Sequence, residues 1–443
     1  MNRAAARVMA AVRSADWVRR VGRVTRFVGL TVESRGPDAQ LGELCNIVPG
    51  GDAAATTAEV VGFSGSHLLL MPYEDPAGIR IGSEVIATGR SAQVRAGEHL
   101  LGRVIDGFGA PLDDGELAAT GTACALYPQP INPLQRGMVV DVLETGIRAV
   151  DTLLTVARGQ RVGIFAGSGV GKSIVLGMIA REAKADVSVI ALVGERGREV
   201  RAFVENGLSP AARAKSVVIA ATSDQPPLVR RRAAFLATAI AEYFRDRGQH
   251  VCLTMDSVTR VAMAQREIGL ASGELPTARG YTPSVFSLLP RLLERGGVRA
   301  QGGSLTALYT VLVEGDDLED PISDSVRSIL DGHIVLSRKI AQRGRYPAVD
   351  ITQSVSRLAS SIVSEAENRL ISEVTRLLAL YETSRDLIEV GAYKAGTHNE
   401  LDRAIRLTPL IESFLAQKPA EVERRGIAME RLRRLLEEPG RAA

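Results

Sequence analysis

Ala166-Gly167-Ser168-Gly169-Val170-Gly171-Lys172-Ser173 stands between an apolar run, Arg161–Ala166, and a stretch with helical apolar spacing, 174–180. Glycines at alternate positions let the backbone curl so that its N–H groups converge on an anion at a helix N-terminus. Lys172 in this register can neutralise the β- and γ-phosphates of a nucleotide, and the Ser173 hydroxyl can ligate Mg2+. The P-loop pattern asks for glycine where Ala166 stands, but Gly-Lys-Ser closes it in the right place. A plain glycine turn would have no use for lysine and serine there. The phosphate-binding candidates are therefore Gly167, Ser168, Gly169, Val170, Gly171, Lys172 and Ser173, with Ser173 also a metal ligand.

Two further strand ends point to the same site. The apolar run 251–255 ends in Asp256, where a Walker B carboxylate would hold the water shell of a magnesium ion. The run Val187–Val193 leads into Gly194-Glu195-Arg196-Gly197-Arg198-Glu199. In a parallel sheet ligands bind at the C-terminal edge, so Glu195 is a candidate to orient an attacking water. The plainer reading of Glu195 is a helix N-terminal acid paired with Arg196 or Arg198.

Further apolar runs at 217–221, 305–313 and 334–336 alternate with helix-length segments, as a parallel sheet buried on both faces requires. Upstream, from about residue 20 to 90, short alternating segments broken by Gly-Pro and Ser-Gly turns suggest a small β-barrel. Downstream of about residue 361 the pattern is helical throughout. The expected domains are a barrel over 21–92, an α/β P-loop domain over 93–360 and a helical domain over 361–443.

The first 26 of the 443 residues hold seven arginines against Asp16 alone, whereas the whole chain is only +3. The segment 1–20 places Val8, Ala11, Val12, Ala15 and Val18 at helical spacing, with Trp17 among arginines. It reads as a basic amphipathic helix for a partner or an anionic membrane, or as a solvated helix. Three scattered cysteines, no signal-peptide core and no apolar run of membrane-spanning length give the expectation of a soluble intracellular protein. Dispersed histidines offer no zinc spacing. Arg230-Arg231-Arg232 reads as a solvated helix face or a subunit contact.

Beyond these motifs the chain resembles the catalytic subunits of the rotary ATPase superfamily, and within it the flagellum-specific ATPases of type III protein export. The matching stretches include Asn132-Pro133-Leu134-Gln135-Arg136, Met263-Ala264-Gln265-Arg266-Glu267, Gly315-Asp316-Asp317-Leu318-Glu319-Asp320-Pro321 and Tyr346-Pro347-Ala348-Val349-Asp350. The resemblance implies a barrel, a RecA-like ATPase domain and a helical domain, with MgATP hydrolysis energising export. It makes Glu195 the catalytic glutamate, Arg196 a γ-phosphate contact, Tyr346 the aromatic stacking on adenine and Arg357 an arginine finger reaching a neighbouring subunit. The loop 275–283 would line a central channel. Implied partners are ATP, five further copies in a hexamer, a coiled-coil stalk, a regulator of the export apparatus, export substrates and their chaperones. The implied location is cytoplasmic, peripheral at the inner membrane through the N-terminus.

The sequence departs from the family pattern in two places. No aromatic stands at 417–421, where the second adenine contact is expected. Around 393–402 only Lys394, Glu400 and Asp402 are charged besides His398, which argues against a proton-driven synthase. A nucleic-acid translocase would need stacking aromatics, yet Phe, Trp and Tyr make up 4% of the chain. A non-catalytic nucleotide-binding subunit would lack Glu195. An ATPase of a virulence secretion system remains the alternative.

Overall fold

The computed structural model describes residues 20–50, 54–118 and 120–437. The segment expected to form a basic amphipathic helix, residues 1–20 with Trp17, lies outside them save for Arg20. The chain divides into two compact units, one running to Ala92 together with Glu267–Leu275, the other comprising Gln93–Arg266 and Pro276 onward.

The first unit holds a closed, six-stranded antiparallel barrel. Its strands are Val21–Val28, Thr31–Arg35, Glu43–Val48, Thr56–Ser64, His67–Pro72 and Glu84–Ser91. Alternation puts one side of each strand inside; Glu43–Val48, for example, alternates between buried and half-buried residues along its length. Val24, Val32, Cys45, Ile47, Val60 and Leu70 fill the interior. Closure leaves no strand edge with unpaired backbone groups.

The second unit is built on one large sheet. In spatial order its strands are Val349–Ser356, Gly332–Leu336, Arg161–Ala166, Ser304–Leu312, His250–Asp256, Val187–Val193, Ser216–Ala221 and Val104–Ile105. Neighbours from Gly332–Leu336 to Val104–Ile105 are parallel. Every residue of Val187–Val193 and of Ser216–Ala221 is buried, as expected of strands covered on both faces. The edge strand Val349–Ser356 runs antiparallel to Gly332–Leu336, a reversal the sequence pattern does not announce.

The three C-terminal helices Glu365–Glu389, Asn399–Leu415 and Arg425–Glu437 share one apolar core with the sheet's flank. Leu377, Ile411 and Leu432 from the helices meet Val150, Ile179 and Ile351 within the same cluster. Ser364 starts the first of these helices with a reciprocal capping box to Glu367.

One expectation needs correcting. Arg230 and Arg232 do not form a solvated face, because both are buried in the helix Pro227–Arg245. Arg232 Nε and Nη2 donate to the carbonyls of Gly107 and Gln93, both at 3.0 Å, and Arg230 Nε donates to that of Gln225 at 3.0 Å. Loop carbonyls laid against a buried helix need donors, and a guanidinium on a long stem delivers them.

Arg148 ties the helical end to the sheet. It is 3% exposed, donates to Glu423 Oε2 at 2.5 Å and to the carbonyls of Phe414 and Ala416 at 2.6 and 2.9 Å, and pairs with Glu421. Arg148→Met should lower the unfolding free energy by about 3 kcal/mol, since it strands Glu423 and two carbonyls. Arg376→Ala, which breaks an exposed pair with Glu400, should cost less than about 1 kcal/mol. Denaturant titration of both variants checks the contrast.

Candidate functional site: a nucleotide cleft at the sheet's C-terminal edge

The strand Arg161–Ala166 ends at the sheet edge and the loop 167–171 turns into the helix Lys172–Glu182. Gly171, at φ 92°, occupies the left-handed region as the helix N-cap, a conformation that a side chain would strain. The first N–H groups of a helix have no intrahelical partner, and Gly171, Lys172 and Ser173 line the cleft beside the loop. Ser173 is exposed at the start of the helix.

Lys172 Nζ lies 2.5 Å from Asp256 Oδ1 and 3.3 Å from Glu195 Oε1. All three side chains are withdrawn from solvent, at 12%, 6% and 14% exposure. Thr310 Oγ1 donates to Asp256 Oδ1 at 2.7 Å and fixes the carboxylate's orientation. Burial pushes the Asp256 carboxyl above its ordinary range; the Lys172 ammonium opposes this and the Glu195 charge adds to it.

Glu195 follows Gly194, whose φ of 74° swings the chain out of the strand. A Cβ on Gly194 would meet the Arg260 side chain at 2.8 Å, so the turn closes directly on that residue. Glu195 is anchored by Ser223 N donating to its carbonyl at 3.1 Å. Arg196 is exposed and pairs loosely with Glu199 at 3.7 Å. The plainer reading of Glu195 as an acid paired with Arg196 or Arg198 is not what the structure places there, since its described ion pair is with Lys172.

A cleft of about 880 Å³ opens over these residues, with Gly167, Lys172, Glu195, Arg196, Arg260 and Arg338 among its walls. Tyr346 stands beside it: a Cβ on Gly171 would lie 3.6 Å from Tyr346 Cδ1. Gln417 N donates to the Tyr346 carbonyl at 2.8 Å, so the segment 417–421 does approach the tyrosine, but with no aromatic side chain to offer.

Arg357 is the predicted residue that the fold keeps apart from this cleft. It follows the reversed edge strand, where Ser356 pairs with Gly332 and Gly332 with Val162. Val162 is four residues short of Ala166, about 13 Å at strand rise, so Arg357 stands toward the opposite sheet edge. Its side chain is exposed, with Nη2 donating at 3.4 Å to the Arg327 carbonyl.

Arg260, Thr310 and Arg338 escaped the sequence reading. Arg260 sits four residues after Asp256, as the third residue of the helix Val258–Ala271, and its Nε is buried without a hydrogen-bond partner among the described residues. Its place at the start of the helix that follows the Walker B strand is the signal that could have found it.

In the loop 393–402 the acidic groups are engaged locally. Asp402 accepts from Tyr393 OH and Gly396 N, both at 2.9 Å, and Glu400 pairs with Arg376 at 2.5 Å.

Comparison with known proteins agrees with this layout. The nucleotide-binding domain of the ATP synthase alpha/beta family matches residues 146–356, and that family's beta-barrel domain matches 24–89. The C-terminal domain of the type III secretion EscN ATPases matches 363–434. The flagellum-specific ATP synthase of Bacillus subtilis is 53% identical over 413 residues, covering 92% of this chain and 94% of the relative. The assembled ATPase EscN of enteropathogenic Escherichia coli superposes with a TM-score of 0.89 at 43% identity, over 94% of this chain and 100% of that one. EscN in complex with its central stalk EscO superposes with a TM-score of 0.85 over the same shares. Among the described residues no helix is long and apolar enough to cross a membrane. With its barrel, P-loop cleft and helical end each matched in turn, the chain belongs to the ATP synthase alpha/beta family and, within it, to the flagellar and type III secretion ATPases.

Proposed function

We propose that the chain hydrolyses MgATP to energise type III export of flagellar proteins, releasing cargo from chaperones and unfolding it at the export gate. The observation that carries this reading is Glu195, a carboxylate largely withdrawn from solvent at the mouth of a P-loop cleft and within reach of the P-loop lysine. A general base needs that placement, and a binding module has no use for it.

The backbone of 167–171 wraps the triphosphate, and Lys172 turns from its two carboxylates to the β- and γ-phosphates. Glu195, released from the lysine, accepts a proton from the attacking water. Arg196 and Arg260 face the γ end of the cleft, and Tyr346 stacks on the base. With no second aromatic at 417–421, preference for adenine over other bases is weak. Ser173 and Asp256 are hard oxygen donors suited to Mg2+, few enough to leave room for water and phosphate oxygens, and Asp256 already faces a cation at 2.5 Å. A magnesium ion held by Ser173 and Asp256 would supply charge withdrawal from the phosphates.

Arg357 completes a neighbour's site in a ring of six identical subunits. The likeness to assembled EscN and to its stalk complex supports a ring with a coiled-coil stalk in its channel beside residues 275–283. Residues 1–20 contact a regulator of the export apparatus or the anionic inner face of the membrane, which makes the protein peripheral. The virulence-system alternative draws on the EscN-type C-terminal domain and on a type 3 secretion system ATPase 48% identical to this chain; flagellar relatives at 53% identity favour the flagellar reading.

Glu195→Gln should retain MgATP affinity while losing roughly 10²–10⁴ in rate, the usual contribution of a positioned base. Nucleotide binding and turnover measured together test this, and equal failure of both would make Glu195 structural. In the cell the same variant should abolish secretion of flagellar proteins into the medium; unimpaired secretion overturns the export role.

Arg357→Ala should lose roughly 10³–10⁵ in rate while each subunit still folds and binds nucleotide. Mixing Arg357→Ala with Glu195→Gln subunits should restore part of the activity, because some interfaces then pair an intact Glu195 with an intact Arg357. No recovery in rings of proven mixed composition counts against a finger acting between subunits.

A further inference from the structure

Arg345 precedes Tyr346 and is only 8% exposed. Its Nη1 and Nη2 donate to the carbonyls of Pro347 and Val349 at 3.3 and 2.9 Å, and its Nε pairs with the Glu412 carboxylate. Glu412 belongs to the C-terminal helix Asn399–Leu415. Burial pushes the Glu412 carboxyl up, opposed by the Arg345 charge, and burial likewise pulls Arg345 down. Neither residue lines the nucleotide cleft; both face a separate cavity of about 490 Å³ that also exposes Asp350 and Glu382.

Two more ties reach the same turn, one from a helix and one from the segment that follows Asn399–Leu415. Arg343 Nη2 lies 3.3 Å from Glu382 on Glu365–Glu389, and Gln417 N donates to the Tyr346 carbonyl at 2.8 Å. The buried pair is a weak device for stability, because desolvating two charges offsets most of their attraction. What a guanidinium adds is geometry: its rigid planar fork fixes the path of the backbone on the C-terminal side of Tyr346.

We infer that Arg345 and Glu412 are positioning residues for Tyr346, holding its ring beside Gly171 and so setting affinity for the nucleotide base from outside the cleft. The inference rests on the reading of Tyr346 as the base-stacking residue. It makes base affinity depend on where the helix Asn399–Leu415 lies, because Glu412 is carried by that helix.

Steady-state kinetics with MgATP, alongside inhibition by inorganic tripolyphosphate, test it. Glu412→Gln, nearly isosteric, should raise KM for ATP on the order of tenfold with kcat near wild type, the scale expected of a misplaced binding group. Tripolyphosphate has no base, so its inhibition constant should not move. Arg345→Met should behave alike, and Arg345→Lys should restore part of the loss, as charge without a fork. Combining Tyr346→Ala with Glu412→Gln should be no worse than Tyr346→Ala alone.

A Glu412→Gln enzyme that loses kcat and tripolyphosphate affinity together, or a double variant whose effects add, overturns the proposal. If Tyr346→Ala raises KM but neither Glu412→Gln nor Arg345→Met does, the clamp alone fails. If Tyr346→Ala itself leaves KM unchanged, the stacking reading fails first and the inference with it. Should Arg345→Met not fold, Glu412→Gln decides the matter by itself.

Discussion

The parallel alignment of Arg161–Ala166 between Ser304–Leu312 and Gly332–Leu336 determines where every charged group of the cleft stands. Parallel strands finish on the same edge, so the residues that follow them converge there. Gly167, Glu195, Asp256 and Arg338 come from four different strand ends and line or adjoin one volume. The price of the arrangement is that strands buried on both faces must be apolar along their length. Polar chemistry is thereby pushed to the loops, and the cleft is the sheet's polar margin.

Within that margin Lys172 is shared by Asp256 and Glu195 while Thr310 steadies Asp256. An isolated ammonium in so sheltered a position would be costly, and two isolated carboxylates more so. The trio therefore satisfies itself without phosphate, and an incoming triphosphate competes for the lysine rather than meeting an unpaired charge. Arg260, whose Nε has no hydrogen-bond partner among the described residues, lines the same cleft.

Residues that act through their nearest chain neighbours were legible in the sequence. The P-loop is a local motif, and Asp256 and Glu195 were visible as carboxylates directly following apolar runs. Arg148, Arg232 and Arg345 were not, because each bonds to backbone or carboxylates far along the chain: Arg148 to Phe414, Arg232 to Gln93, Arg345 to Glu412. An arginine in isolation carries no mark of which distant carbonyl it will serve. The reversal of Val349–Ser356 was hidden for a related reason, since apolar content records burial but not strand direction. The resemblance supplied Tyr346 and Arg357, which no spacing rule would have singled out.

That reversed edge strand has two working ends. Its start adjoins the Tyr346 turn at the nucleotide edge, and its end delivers Arg357 toward the opposite edge. Val349 pairs with Leu336 and Ser356 with Gly332, so the eight residues span only about 13 Å, and a bulge between Asp350 and Val355 takes up the extra chain. In the proposed ring, this bulged strand would join a subunit's own base contact to its neighbour's phosphate contact. A bulge absorbs part of any displacement, so the path between the two contacts would be a compliant one.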